Sequence, residues 1–244
     1  MPLSDDARVI DVGCGDGFYT GLFADGLGPT GKAVGLDTNQ AFLDVARDHL
    51  NAAHKANVEW MCNDLQQVAA IRTGEFDLVW CAQSLYSLAD PHAALLQMRQ
   101  LARPGGIVGV LENDTLHQLL LPWSSRMELA LRAAERKAFE ATSSRPNKFY
   151  IGRRLPAELA AAGLEPLGYR TQAIDRVAPL EPALELFLRY YFQKLLDRVS
   201  PYLESEVLDE LAEVVQPQSD RFLAGDPHFA MTWLNVLAWG RRAD

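Results

Sequence analysis

Cysteine is scarce: 244 residues hold only Cys14, Cys62 and Cys81. Their odd number and wide spacing exclude a disulfide framework and a CxxC metal site, and favour a reducing, cytoplasmic setting. No apolar run reaches the roughly 18 residues that a membrane span requires. The opening MPLSDDAR carries two acids and no apolar signal-peptide core, so nothing in it directs export. A basic surplus is missing as well: 23 Lys and Arg against 32 Asp and Glu give a net charge of -9. That balance argues against a nucleic-acid surface, which rests on clustered cations, and points to a small or uncharged substrate. Internal repeats and low-complexity tracts are absent too. What remains is an ordinary globular composition, 48% hydrophobic and 23% charged, long enough for one large domain with insertions.

The first half alternates short apolar runs with helical patterns. Strands are expected near Arg8–Val12, Ala33–Leu36, Val58–Met61, Asp77–Cys81 and Ile107–Glu112, with helices near Tyr19–Leu27, Gln40–Ala53 and His92–Ala102. Thr38 or Asn39 can cap the second helix, and Ala41, Leu43, Val45 and Ala46 then recur at helical spacing. Asp90 caps the third, Pro91 opens it, and Pro104-Gly105-Gly106 stops it. Strand–helix alternation of this kind implies βαβ units and a doubly wound, mainly parallel sheet. Ligands of such sheets bind beyond the carboxyl ends of the strands, where strand order reverses.

After Glu112 the rhythm breaks. Residues 115–150 show no strand pattern, and SSRMELALRAAERKAFEATSS reads as one amphipathic helix. A helix ending at Gly163 and a strand follow, then a helical block over about Pro182–Val215 divided at Pro201. HFAMTWLNVLAWGRR reads as a final strand. The two blocks, about 113–150 and 180–226, are too apolar for linkers. They are expected to fold against the sheet as a lid on a single domain covering 1–244.

The stretch VIDVGCGDG places Gly13, Gly15 and Gly17 within five residues, directly behind a strand containing Asp11. Glycines let backbone turn sharply and approach a ligand, and the helix that follows turns its unpaired N–H groups toward it. Asp37 closes the next strand. A dinucleotide fingerprint would read G-x-G-x-x-G, whereas the spacing here is G-x-G-x-G. An acid at Asp11 sits badly beside a pyrophosphate and well beside an ammonium group, directly or through water.

Five segments in register carry a resemblance to the class I S-adenosylmethionine-dependent methyltransferases. VIDVGCGDG resembles the family's first motif, VGLD at 34–37 its second-strand motif, and CNDL at 62–65 the motif after strand three. FDLVWCAQSL at 76–85 and LARPGGIVGV at 101–110 resemble its fourth-strand motif and its turn into strand five. The segment AAAGLEPLGY fits its closing edge pair. The resemblance implies a seven-stranded Rossmann-like methyltransferase fold with helical insertions, and S-adenosyl-L-methionine as cofactor, released as S-adenosyl-L-homocysteine. It implies that Gly13, Gly15 and Gly17 line the methionine portion, that Asp11 helps place its amino group, and that Asp37, with Thr38 beside it, binds the ribose. Asn63, Asp64 and Leu65 would frame the adenine, while Cys81, Ala82 and Gln83 would lie beside the sulfonium and the acceptor. Helix capping is the alternative role for Asp11 and Asp37, and a turn for Asp64. Cys14 reads as a packing residue. Members usually carry helical residues before the first motif. Here the first strand begins within about ten residues of Met1, so the insertions or the second copy of a homodimer would have to exclude water.

Methyl transfer is an in-line displacement that depends on holding two reactants in geometry and calls for neither metal nor covalent intermediate. A base is required only where the acceptor loses a proton. His117 is the candidate, with an ordinary surface role as its alternative; His92 reads as solvated. Tyr86 and Tyr150 could touch an acceptor or simply pack, and Lys148, Arg153 and Arg154 could meet an anionic acceptor or simply carry surface charge. CAQSL replaces the Asn/Asp-Pro-Pro-Tyr/Phe segment of amino-methylating nucleic-acid enzymes, so the expected acceptor is a small organic molecule. Two rivals stand beside this reading: a non-catalytic cofactor-binding partner subunit, and an NAD-dependent oxidoreductase.

Overall fold

A computed structural model describes residues 3–50 and 57–243, with Ile71 described by its backbone alone. The chain divides into two compact units: Met1–Asn113, Ile151–Thr171 and Val236–Asp244 form the first, and Asp114–Tyr150 with Gln172–Asn235 the second.

The first unit is an α/β layer structure. Strands β1 (Arg8–Val12), β2 (Lys32–Asp37), β3 (Asn57–Cys62), β4 (Phe76–Ala82) and β5 (Ala102–Asn113) pair in the order β3-β2-β1-β4-β5, all parallel. The sheet continues into β8 (Ala230–Arg242), with β7 (Leu164–Val177) paired to β8. Helices α1 (Phe18–Gly26), α2 (Gln40–His49), α3 (Leu65–Ile71) and α4 (Pro91–Leu101) connect the parallel strands, and α6 (Leu155–Ala161) precedes β7. Side chains on the two faces of β1 feed two cores: Ile10 and Val12 join one, Val9 the other. Burial on both faces explains why these strands are continuous apolar runs. Strand order reverses between β1 and β4, and the carboxyl ends of the five parallel strands share one edge.

Local signals explain the boundaries. Asn39, rather than Thr38, caps α2 by accepting from Ala41 N at 3.0 Å. Asp90 caps α4 through His92 N and Ala93 N, with Pro91 behind it. The helix expected to run to Ala53 ends at His49, and Asn51–Ala53 lie outside the described residues. Helix α3 escaped the sequence reading because seven residues show little period. Pro104-Gly105-Gly106 is not a loop: β5 already begins at Ala102, paired with Phe76, and its register shifts between Phe76 and Leu78. Gly106 sits where a Cβ would lie 2.8 Å from the Phe76 carbonyl, so the segment is a bulge that only glycine fits.

The second unit is helical, with α5 (Ser125–Thr142), α7 (Pro182–Val199) and α8 (Ser205–Val215) around their own core of Met127, Leu131, Leu188, Phe192, Leu195 and Leu211. The block expected over 182–215 does divide at Pro201, in a 3-10 turn over Ser200–Tyr202. One element corrects the expectation for 115–150: β6 (Leu119–Leu121) pairs antiparallel with Ala230–Thr232, adding an eighth strand to the seven expected.

Candidate active site

The loop after β1 is held by β2. Gly13 N and Cys14 N both donate to the Leu36 carbonyl, at 2.8 and 3.0 Å. Gly13, Gly15 and Gly17 all take positive φ, at 70°, 54° and 81°, a region that strains other L-residues. Two of them also serve packing, since a Cβ on Gly13 would lie 2.6 Å from Ser84 Oγ, and one on Gly17 2.6 Å from the Trp60 ring. Gly15 is different: nothing lies within 4 Å of its Cβ position. The space before it is open. Gly17 immediately precedes α1, with no side-chain cap.

Acids surround the loop. Half-buried Asp37 accepts from Gly15 N with Oδ2 at 3.0 Å and from Asn39 N with Oδ1 at 2.8 Å; each oxygen keeps a further lone pair for a ligand hydroxyl. Asp11 is 2% exposed and accepts from the Thr20 hydroxyl at 2.7 Å. Burial pushes its pKa up to about 7, against the pull of the Thr20 hydroxyl and amide. Asp11 therefore lies beneath the loop and anchors the first turn of α1. The charges acting on the buried Cys14 thiol are Asp11, Asp37 and Asp16, and that thiol is pushed far up, chiefly by burial. It is a packing residue. The acids acting on that thiol are the nearest charges to the loop that can attract a cation.

The remaining expected residues fall along the same edge. Asn63 N donates to the Asp37 carbonyl at 3.0 Å, and the exposed Thr38 accepts from the Cys62 thiol through its carbonyl. Exposed Asp64 caps α3, accepting from Gln66 N at 2.8 Å, and Leu65 is buried at the helix start. Ala82 is half-buried and Gln83 exposed at the end of β4. Cys81 is the correction: its side chain is fully buried in the main core, with its thiol pushed well up by desolvation, so only its backbone can face a ligand. Strand alternation turns it inward.

Three groups went unread in the sequence. Thr20 holds Asp11; the Ser84 hydroxyl bridges the Gly13 and Ala82 carbonyls, each at 3.0 Å; and Glu112, 2% exposed at the end of β5, accepts from Tyr86 N at 3.3 Å. Glu112 carried the signal already used for Asp11, an acid closing a buried apolar strand. Tyr86 is 40% exposed. His92 lies 3.9 Å from Glu158, which also takes Arg154 at 3.1 Å, so Arg154 is paired rather than free for an anion.

In the second unit His117 is exposed, and its Nδ1 donates to Asp114 Oδ2 at 2.7 Å, leaving Nε2 outward. Tyr150 packs edge-on against Phe139, and Lys148 lies over the Phe149 ring. Among the described residues no group of three or more His, Cys, Asp and Glu side chains could hold a metal ion, and no helix is long and apolar enough to cross a membrane.

The sheet order, with the glycine loop after β1 and the acid closing β2, defines an α/β protein of the doubly wound class. Residues 10–110 match the family model described as a methyltransferase domain. An uncharacterized methyltransferase of Schizosaccharomyces pombe is 28% identical over 162 residues, 64% of this chain and 58% of that one. The ubiquinone biosynthesis O-methyltransferase of Acinetobacter baylyi is 32% identical over 102 residues, 41% of each chain. The ubiquinone/menaquinone biosynthesis C-methyltransferase of Burkholderia vietnamiensis is 35% identical over 105 residues, 43% of this chain and 42% of that one. The chain thus spans about half the length of the curated relatives it matches. Among solved structures, the [4+2]-cyclase SpnF shares the fold at a TM-score of 0.54 and 20% identity, over 99% of this chain and 77% of that one. The YcgJ protein of Bacillus subtilis does so at 0.57 and 12% identity, over 99% and 94%. Over residues 10–110 the chain is thus similar to a methyltransferase domain, and the solved neighbours share its fold.

Proposed function

We propose that the protein transfers a methyl group from S-adenosylmethionine to a small organic acceptor by in-line displacement. The observation that carries this is the loop itself: open space before Gly15, whose N–H is held by the Asp37 carboxylate at 3.0 Å. That space and charge fit a sulfonium and an ammonium group. Asp37 takes the ribose hydroxyls on its remaining lone pairs, Asn63, Asp64 and the Leu65 backbone frame the adenine, and Ala82 and Gln83 flank the reacting centre. When bound, the cofactor supplies an electrophilic methyl group. The chain's own task is then to hold donor and acceptor in line, which is worth on the order of 7–11 kcal/mol when geometry is right.

His117, whose Nδ1 is held by Asp114, is the candidate base where a hydroxyl or acidic carbon must lose a proton. The quinone-biosynthesis names of two relatives direct the search to phenols, catechols and quinols. The test is incubation of the purified chain with methyl-labelled S-adenosylmethionine and a panel of such compounds, with tRNA and cell protein in parallel. Label in a small molecule is the expected result, lost in His117→Asn if the base role holds. Label confined to tRNA or protein would overturn the acceptor class, and cofactor binding without transfer to anything would favour a non-catalytic partner subunit.

A further inference from the structure

Glu112 is a buried carboxylate without a counter-ion. Its Oε1 accepts from Tyr86 N at 3.3 Å, and the nearby amides of Leu85 and Ser84 favour its ionised form. These amides open the 3-10 turn over Leu85–Ser87 that follows β4. Burial pushes the pKa up to about 7, and the three amides pull it back; no Lys, Arg or His contributes. A charge buried this way is costly unless hydrogen bonds hold it.

The segment it gathers is unusual. Gln83 stands at φ 51°, the left-handed region in a non-glycine residue, with its N–H on the Leu111 carbonyl at 2.7 Å and its amide on Asn113 Oδ1 at 3.2 Å. Ser84 Oγ then lies 3.0 Å from the Gly13 carbonyl and equally from the Ala82 carbonyl, and its one proton bridges the two. An unbroken chain of contacts therefore runs from the end of β5, through the turn after β4, to the glycine loop after β1.

We propose that Glu112 is a positioning residue: by holding the Tyr86 amide it fixes the turn that begins at Ser84, sets the Ser84 hydroxyl against Gly13 and so holds the glycine loop in its ligand-ready shape. The inference rests on the reading of that loop as the S-adenosylmethionine site. The groups facing the carboxylate are the Ser84, Leu85 and Tyr86 amides, the Cys81 thiol on β4, whose ionisation Glu112 opposes, and the backbone at Gly152, where a Cβ would meet Glu112 Cβ at 3.6 Å. The ionised form is the better acceptor for the Tyr86 N–H, so the hold loosens as pH falls through about 7. Asp11 titrates in the same range through Thr20, but its share persists when Glu112 is replaced.

The test titrates S-adenosylhomocysteine into the native chain, Glu112→Gln, Ser84→Ala and the double variant at pH 6, 7 and 8. Amide exchange of residues 12–17 is followed without ligand. Glu112→Gln should melt as a folded protein, bind about tenfold more weakly at pH 8, show a flatter pH dependence, and exchange its glycine loop faster. The double variant should bind no worse than Glu112→Gln, because both act on one contact. Native-like binding and exchange in Glu112→Gln, or additive losses, would overturn the proposal. If the native chain binds no S-adenosylhomocysteine, the cofactor reading fails, and the exchange arm still decides whether Glu112 holds the loop. Should Glu112→Gln not fold, Ser84→Ala alone must speed exchange of the loop, or the proposal falls.

Discussion

Asp37 Oδ2 accepts a hydrogen bond from Gly15 N at 3.0 Å, across 22 residues of chain. The acid that closes β2 and the loop that follows β1 are thus one structure before any ligand arrives. Asp37→Asn keeps the volume but turns one carboxylate oxygen into an NH2 group that cannot accept from an amide. We expect it to lose about 1–2 kcal/mol of stability in urea unfolding and to expose the Gly15 amide to faster exchange. Unchanged exchange at Gly15 would count against the coupling.

The three loop glycines should separate by their surroundings. Gly17→Ala drives a methyl into Trp60 and Ala46 at positive φ, so it should cost at least about 2–3 kcal/mol by overpacking and strain. Gly15→Ala meets nothing and should cost only about 1–2 kcal/mol of backbone strain. It should nevertheless remove nucleotide binding, because its methyl projects into the open space. Urea titrations and calorimetry on both variants check this, and a Gly15→Ala protein that binds normally would refute it.

Asp11 gives a pH signature whose sign is definite. Its folded pKa is raised from 3.8 to about 7, so the native state holds the proton more tightly than the unfolded chain. Its contribution is complete below about pH 4 and is lost as pH rises through about 7, at up to about 1.4 kcal/mol per pH unit. Asp77 and Glu59, held below their usual range by hydrogen bonds and cationic partners, act in the opposite sense at lower pH. The observable is therefore a difference: between pH 5 and 7 the stability of Asp11→Asn should fall less steeply than that of the native chain. Equal slopes would contradict a buried, protonated Asp11.

The helical unit has its own polar keystone. Glu135, 7% exposed, accepts from Arg132 Nη1 at 3.2 Å and Arg198 Nη1 at 3.0 Å, while Arg132 Nη2 donates to the Gln118 carbonyl at 2.6 Å. Tyr191 Oη donates to Gln118 Oε1 at 3.1 Å. Glu135→Ala removes a carboxylate shared by two guanidinium groups and should cost about 3 kcal/mol, near the low end for a broken buried pair because Arg132 keeps Glu128 and Arg198 reaches solvent. Tyr191→Phe should cost about 1 kcal/mol. Thermal melts of both variants test the ranking, and the reverse order would contradict it.

Much of the sheet unit was legible because its signals are local: apolar runs, the Asn39 and Asp90 caps, and Pro91. The β6 strand was not, since Leu119–Leu121 become a strand only by pairing with Ala230–Thr232 far along the chain. The bulge at Gly106 was hidden for a similar reason; its cause is the Phe76 carbonyl on the neighbouring strand. At the site, the glycine spacing together with the motif resemblance pointed to Gly13, Gly15, Gly17 and Asp37, and the fold joins Gly15 to Asp37. Cys81 was placed at the right strand end but on the wrong face, because a strand buried on both sides gives no alternation to read. Ser84 and Glu112 act through backbone groups of other elements, and nothing in their own neighbourhood announces a partner.

The most direct test of the central claim is a calorimetric titration of the native chain and of Asp37→Ala with S-adenosylhomocysteine, with NAD as the competing nucleotide. The account predicts that the native chain binds S-adenosylhomocysteine and not NAD, and that Asp37→Ala weakens binding by about tenfold or more, as loss of a charge-assisted hydrogen bond requires. Binding of NAD in preference, or S-adenosylhomocysteine affinity indifferent to Asp37, would contradict it.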